Sequence, residues 1–157
     1  MRNIVVAALM LAALPTTALA ADDHMAVQPG ALKWGPPPPG LPPGSQLAVL
    51  SGNPASDGAY VLRAKLPAGY KIAPHTHPTD ENVTVLSGTF HIATGDKFDL
   101  RKGELVRTGG FFSAQKGMQH YGWTTTPTII QIHGIGPFAI NYVNPADDPR
   151  NKTSEKK

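Results

Sequence analysis

Between residues 46 and 143, no stretch of the chain keeps a helical period for three turns without meeting a glycine or a proline. Either residue opposes a helix: proline removes a hydrogen bond and clashes with the turn before it, and glycine costs backbone entropy. Short apolar and β-branched runs lie between these breakers, at 46–50, 59–65, 82–86, 89–93, 104–108, 111–114, 121–125, 128–133 and 138–143. They are punctuated by Gly52-Asn53-Pro54, Pro67-Ala68-Gly69, Ser87-Gly88, Gly95-Asp96, Lys102-Gly103 and Gly109-Gly110. Such runs read as strands joined by turns. The expected class is all-β, and this many short strands in one chain point to a sandwich or a barrel, which manage sheet edges by closure or by double-sheet rolling.

The ends of the chain read differently. Arg2, the apolar run 4–14 and the small residues Ala18-Leu19-Ala20 form the pattern of a secretory signal, with a run shorter than the ~20 apolar residues that span a bilayer. Cleavage after Ala20 leaves 157 − 20 = 137 residues, which suits one domain. The expectation is a periplasmic or secreted protein with no membrane contact after cleavage. Residues 21–45 contain Gly35-Pro36-Pro37-Pro38-Pro39-Gly40-Leu41-Pro42-Pro43-Gly44, which favours extended polyproline backbone. This arm is either a flexible spacer or a strap whose Trp34 and Leu41 dock on the domain, or on a neighbouring subunit. The domain proper is assigned to 46–143. Residues 144–157 form a polar tail, expected to be disordered beyond Asp148.

The formal charge of +3 is spread over scattered basic residues, which excludes a nucleic-acid patch. Without cysteine, the domain stands without disulfides, and any metal site uses only histidine and carboxylate. Those residues are present in a suggestive pattern. In extended backbone, side chains two apart share a face, so His75 and His77 enter one space. A turn over Pro78-Thr79-Asp80 brings Glu81 to the start of the next strand, and His120 adds a third imidazole. This mixed nitrogen and oxygen set suits zinc, iron, copper or nickel, and the spacing does not choose among them.

The longer frame carries a resemblance. Gly69, five residues, His75-Thr76-His77, three residues, Glu81, six residues and Gly88 resemble the first signature of the cupin superfamily without a departure. The second signature is partly met: Gly109, Gln115, Gly117 and His120 keep the spacing, but Gln115 and Thr124 stand where the family usually has proline and asparagine. In the family those two positions shape turns and do not bind metal. The resemblance is to small single-domain cupins of the type-2 or RmlC-like kind. The segment 78–90 also resembles the cupin-like domain of some zinc-binding anti-sigma factors. The cupin resemblance implies an antiparallel jelly-roll β-barrel whose interior is just wide enough for side chains or for one small ligand. It also implies one divalent transition metal (Fe, Mn, Zn, Ni or Cu) on His75, His77, Glu81 and His120, and a homodimer with the arm as a crossing element.

His91 and His133 fall in predicted strands, either as partners of the ligating imidazoles or as ordinary strand residues; His24 lies in the arm. Phe90, Phe111, Phe112, Tyr121 and Trp123 read as packing or as an aromatic pocket wall, and Asp80 and Glu104 are the acids nearest the signatures. No catalytic acid, base or nucleophile is marked. Three functions stay open: an exported metal-dependent dioxygenase, decarboxylase or isomerase acting on a small organic acid, phenol or sugar-like molecule; a non-catalytic protein that binds or senses a metal or small molecule; and a structural cupin with an empty pocket.

Overall fold

The computed structural model describes residues 25–152; the proposed signal at 1–20, His24 and the last five residues lie outside them. Ten strands follow one another: β1 (Gln46–Ser51), β2 (Gly58–Leu66), β3 (Lys71–Thr76), β4 (Glu81–Ser87), β5 (Thr89–Thr94), β6 (Glu104–Arg107), β7 (Phe111–Ala114), β8 (His120–Thr124), β9 (Thr128–Gly136) and β10 (Asn141–Tyr142). They build two five-stranded sheets, ordered β1-β2-β9-β4-β7 and β10-β3-β8-β5-β6, with every ladder antiparallel. The fold is the all-β jelly roll expected of the chain.

Period-two alternation places the core. On β2, Tyr60, Leu62, Ala64 and Leu66 point inward; on β4 the inward set is Glu81, Val83 and Val85. β9 contributes Ile130 and Ile132 between these two strands. Strand β8 departs from the pattern, because all five of its residues are buried. His120 and Gly122 face the interior, while Tyr121 and Trp123 pack outside against Ala93 under Phe98 of the β5–β6 connection. Gly103 permits that cover, since a Cβ there would run into the Trp123 ring.

Two strand assignments depart most instructively from the sequence expectation. β3 was not among the predicted runs, because Pro74 interrupts it; the ladder to β8 accommodates the proline with one extra residue between the pairs Ile72↔Gly122 and His75↔His120. Bulges are where a strand tolerates proline. In the opposite sense, the run 138–143 yields only the two-residue β10, because Phe138 and Ala139 serve the site described below. At the C-terminus, the expected disorder beyond Asp148 is replaced through residue 152 by a helical turn, Pro149–Lys152, whose Arg150 pairs with Asp148 at 2.7 Å and donates to the Ile140 carbonyl.

The arm lies along its own domain. Gly35 and Leu47 exchange backbone hydrogen bonds of 2.8 and 3.0 Å, Lys65 Nζ sits 4.1 Å from the Trp34 ring centroid, and Leu41 is buried. Tyr142 donates to the Gly40 carbonyl (2.9 Å) and Tyr70 to that of Pro42 (2.6 Å), so the carbonyls of both residues next to Leu41 are tied down. Among the described residues no helix is long and apolar enough to cross a membrane.

Candidate metal centre

The extra residue in β3 sets the phase of the site. Ile72 faces the cavity, and strict alternation from it would turn His75 and His77 outward; the bulge shifts the phase by one, so Ile72, His75 and His77 all line the interior. His120 arrives opposite His75 as its cross-strand partner on β8. Bends at Pro78 and Thr79 return the chain, the Asp80 carboxylate accepts the Lys116 backbone N–H at 2.7 Å, and Glu81 opens β4.

The three imidazoles are buried and packed together, with ring centroids 4.2 Å (His75–His120), 4.9 Å (His75–His77) and 5.1 Å (His77–His120) apart. Each presents a potential ligand atom within 4.8 Å of the others. Their other nitrogens are all occupied. Nδ1 of His75 meets the Ala73 carbonyl at 2.7 Å, Nδ1 of His77 the Ala139 carbonyl at 2.7 Å, and Nδ1 of His120 the Met118 carbonyl at 2.9 Å. A carbonyl only accepts, so Nδ1 carries the proton in each ring, and Nε2 of the neutral imidazole is a bare lone pair. This is the arrangement that orients metal-ligating histidines.

Glu81 completes the group. Its Oε2 lies 3.4 Å from His77 Nε2 and 3.8 Å from His120 Nε2, too long for a charge-assisted hydrogen bond. Nε2 of both histidines is buried without a partner. Lone pairs facing a buried carboxylate repel unless positive charge lies between them, as either a proton or a metal ion. The residues therefore fit a cation, and the cluster His75, His77 and His120 can hold a metal.

The electrostatics agree. Burial first, then the neighbouring His120 and His77, hold the His75 imidazole far below its ordinary 6.5, at about 3; burial also lowers His120. His77 goes up: burial pulls it down, but the Glu81 carboxylate and the Ala139 carbonyl outweigh that. Burial pushes Glu81 up, and the three imidazoles, His77 foremost, more than compensate, so it stays ionised. For metal-free protein the two lowered histidines contribute to the acid behaviour, together with the lowered carboxyls of Glu81, Asp99 and Asp148. An unfolded imidazole takes up its proton near pH 6.5, whereas folded His75 resists until about pH 3, so stability is expected to fall as pH drops through that window. His77 works in the opposite direction. Denaturant midpoints measured against pH should show a flatter acid limb in metal-free His75→Ala than in wild type; superimposable limbs would contradict this.

The other sequence candidates divide. Phe90 and Phe112 line the cavity, stacked at 5.5 Å. Phe111 is exposed, and Tyr121 and Trp123 belong to the outer cluster. His91 stacks on Trp123 at 4.8 Å, and His133 is exposed, so neither touches the ligating imidazoles. Asp80 bonds the Lys116 backbone and Glu104 is exposed. Sequence reasoning missed Phe138, whose ring stacks 5.1 Å from His77. It also missed Tyr60, whose hydroxyl is buried without a partner and held above its ordinary pKa by burial and then by Glu81. The alternation of β2 signals only that Tyr60 is inward.

Known proteins share this arrangement of strands. A polyketide cyclase, RemF from Streptomyces resistomycificus, superposes with a TM-score of 0.65 at 18% identity, covering 85% of this chain and 94% of its own. A candidate acetylacetone dioxygenase from Methylibium petroleiphilum gives 0.60 at 15% identity, covering 90% and 100%. An RmlC-like cupin from Shewanella frigidimarina gives 0.55 at 15%, covering 69% and 87%. At such identities the likeness is one of fold. No curated protein matches the sequence. The family model of the ChrR cupin-like domain matches residues 22–139, a span that takes in both halves of the histidine cluster, and the chain belongs to that family of the cupin superfamily.

Proposed function

We propose that the protein is an exported metal-binding cupin in which His75, His77, Glu81 and His120 hold one divalent transition metal (Fe, Mn, Zn, Ni or Cu), and that it acts on a small organic molecule as a metal-dependent enzyme of the dioxygenase, decarboxylase or isomerase type. The observation that carries the metal reading is the set of three Nδ1–carbonyl contacts, which leaves three bare Nε2 atoms beside one ionised carboxylate. Export is supported by residues 1–20 alone.

A bound transition metal would supply Lewis acidity and, for a redox-active ion, oxygen chemistry. The chain supplies the rest. The Ala73, Met118 and Ala139 carbonyls keep each imidazole in the ligating tautomer, Glu81 offsets the cation's charge, and the hydrocarbon wall excludes water. The names of two fold neighbours, a polyketide cyclase and a candidate acetylacetone dioxygenase, belong to enzymes that act on small organic molecules. A second reading, a non-catalytic binder or sensor, is favoured by the match to the ChrR cupin-like domain and by a wall that carries no acid or base beyond the four donors.

Elemental analysis of protein purified from its own compartment should find about one transition metal per chain, with the content sharply reduced in His75→Ala and Glu81→Ala. Unchanged content in both variants would remove the site. Substrate loss or oxygen uptake over a panel of small acids and phenols, abolished in His120→Ala, separates enzyme from binder; stoichiometric binding without product favours the binder.

A further inference from the structure

The cavity beside the four donors is small and chemically one-sided. Its volume is about 40 Å³, room for about three waters, so side chains fill most of the barrel interior. Of its eighteen lining residues only His75, His77, Glu81 and His120 carry polar side-chain atoms, and these gather at one end. The remaining wall is hydrocarbon, contributed by strand residues such as Ile72, Phe112 and Ile132, by Phe138 and Ile140 of the segment between β9 and β10, and by one residue of the arm, Leu41. Leu41 is buried in this wall while its neighbours' carbonyls are held by Tyr142 and Tyr70, so the arm inserts a single isobutyl group into space that a ligand would otherwise take.

We propose, resting on the metal reading above, that the site takes a short aliphatic molecule with one anionic oxygen head, a carboxylate being the simplest, and that Leu41 sets the length it accepts. The head meets the cation and the donor cluster; the body meets hydrocarbon alone. Each methylene buried there strengthens binding about fourfold. Each hydroxyl placed against that wall lacks a partner and weakens binding by about tenfold or more. Sugars and other polyols are therefore rejected, which narrows the substrate classes the sequence left open.

The test uses full-length protein loaded with cobalt(II), and reads the visible cobalt spectrum while formate, acetate, propionate and longer straight-chain carboxylates are added, with glycerol and glucose as the polyol arm. The expected result is a spectral change with carboxylates only, and an affinity that drops beyond a chain length set by the wild-type cavity. In Leu41→Ala that limit moves out by about three carbons, the difference between isobutyl and methyl. Leu41→Val, which keeps a branched side chain in the wall, moves it by about one carbon and serves where exchange of the Gly35 and Leu47 amides shows that the alanine variant has released the arm. Polyol binding comparable to that of the carboxylates, or a length limit unchanged in both Leu41 variants, would overturn the proposal while leaving one cobalt per chain intact. Protein that takes up no metal would overturn the metal reading and this inference with it.

Discussion

His120→Ala is expected to weaken metal binding by about two to three orders of magnitude while leaving the fold in place. Four-ligand zinc sites deliver about 10–16 kcal/mol of apparent binding free energy, so the loss of one ligand in four removes about 3 kcal/mol or more, roughly a hundred- to a thousand-fold in affinity. His120 enters the site from β8 as the cross-strand partner of His75, and its Nε2 is buried with no hydrogen-bond partner. The second readout is thermal. A metal present at a hundredfold excess over its dissociation constant stabilises the folded state by about 2.7 kcal/mol, which at this chain length is a shift of about 10 °C. Wild type should lose that increment on treatment with a chelator, and His120→Ala should show no chelator effect. A variant that binds metal as tightly as wild type would remove His120 from the site.

Gly88→Ala is expected to destabilise the domain by about 3 kcal/mol, or about 10 °C. Gly88 joins β4 to β5 with φ +77, and a Cβ there would overlap the Pro127 carbonyl oxygen and come within 2.7 Å of the Thr128 hydroxyl and 2.9 Å of its Cα. The left-handed conformation costs a non-glycine residue about 1–2 kcal/mol, and overpacking adds about 1–3 kcal/mol. The overlap also disturbs the Thr128 hydroxyl, which donates to the Thr89 carbonyl at 2.8 Å and so fastens the start of β5 to β9. Gly69→Ala separates the two contributions. That glycine has the same φ of +77, but nothing lies within 4 Å of its Cβ position, so only the conformational part, about 1–2 kcal/mol, is expected. Equal losses in the two variants, by denaturant unfolding, would contradict the close approach at Gly88.

These two glycines and the donors illustrate how much of the molecule was legible in its sequence. Strands such as β2, β5 and β7 follow from alternation bounded by Gly-containing turns, with ends correct to a residue or so. The ligand candidates were legible because two-residue spacing on extended backbone has one geometric meaning. β3, which carries His75, was harder: Pro74 hides it from a propensity reading, and the bulge that turns both imidazoles inward depends on pairing with β8, a partner about fifty residues away. The orienting contacts were invisible altogether. They use the carbonyls of Ala73, Met118 and Ala139, and a backbone carbonyl leaves no trace in residue identity. The same holds for the segment after β9, which reads as a strand but gives up most of its ladder so that Phe138 can stack on His77 and Ala139 can hold its Nδ1. Leu41 was a candidate for docking from the composition of the arm, but its place in the cavity wall depends on Tyr70 and Tyr142, residues that no local pattern connects to it.

X-ray absorption fine structure at the edge of the metal that the native protein carries tests the central claim most directly. The account predicts the scattering signature of three imidazoles and an oxygen donor at about 2.0–2.2 Å, reduced to two imidazoles in His120→Ala reconstituted with enough of the same metal to fill its weakened site. A metal with fewer than two imidazoles in the wild-type spectrum, or with a histidine count that His120→Ala leaves unchanged, would contradict it.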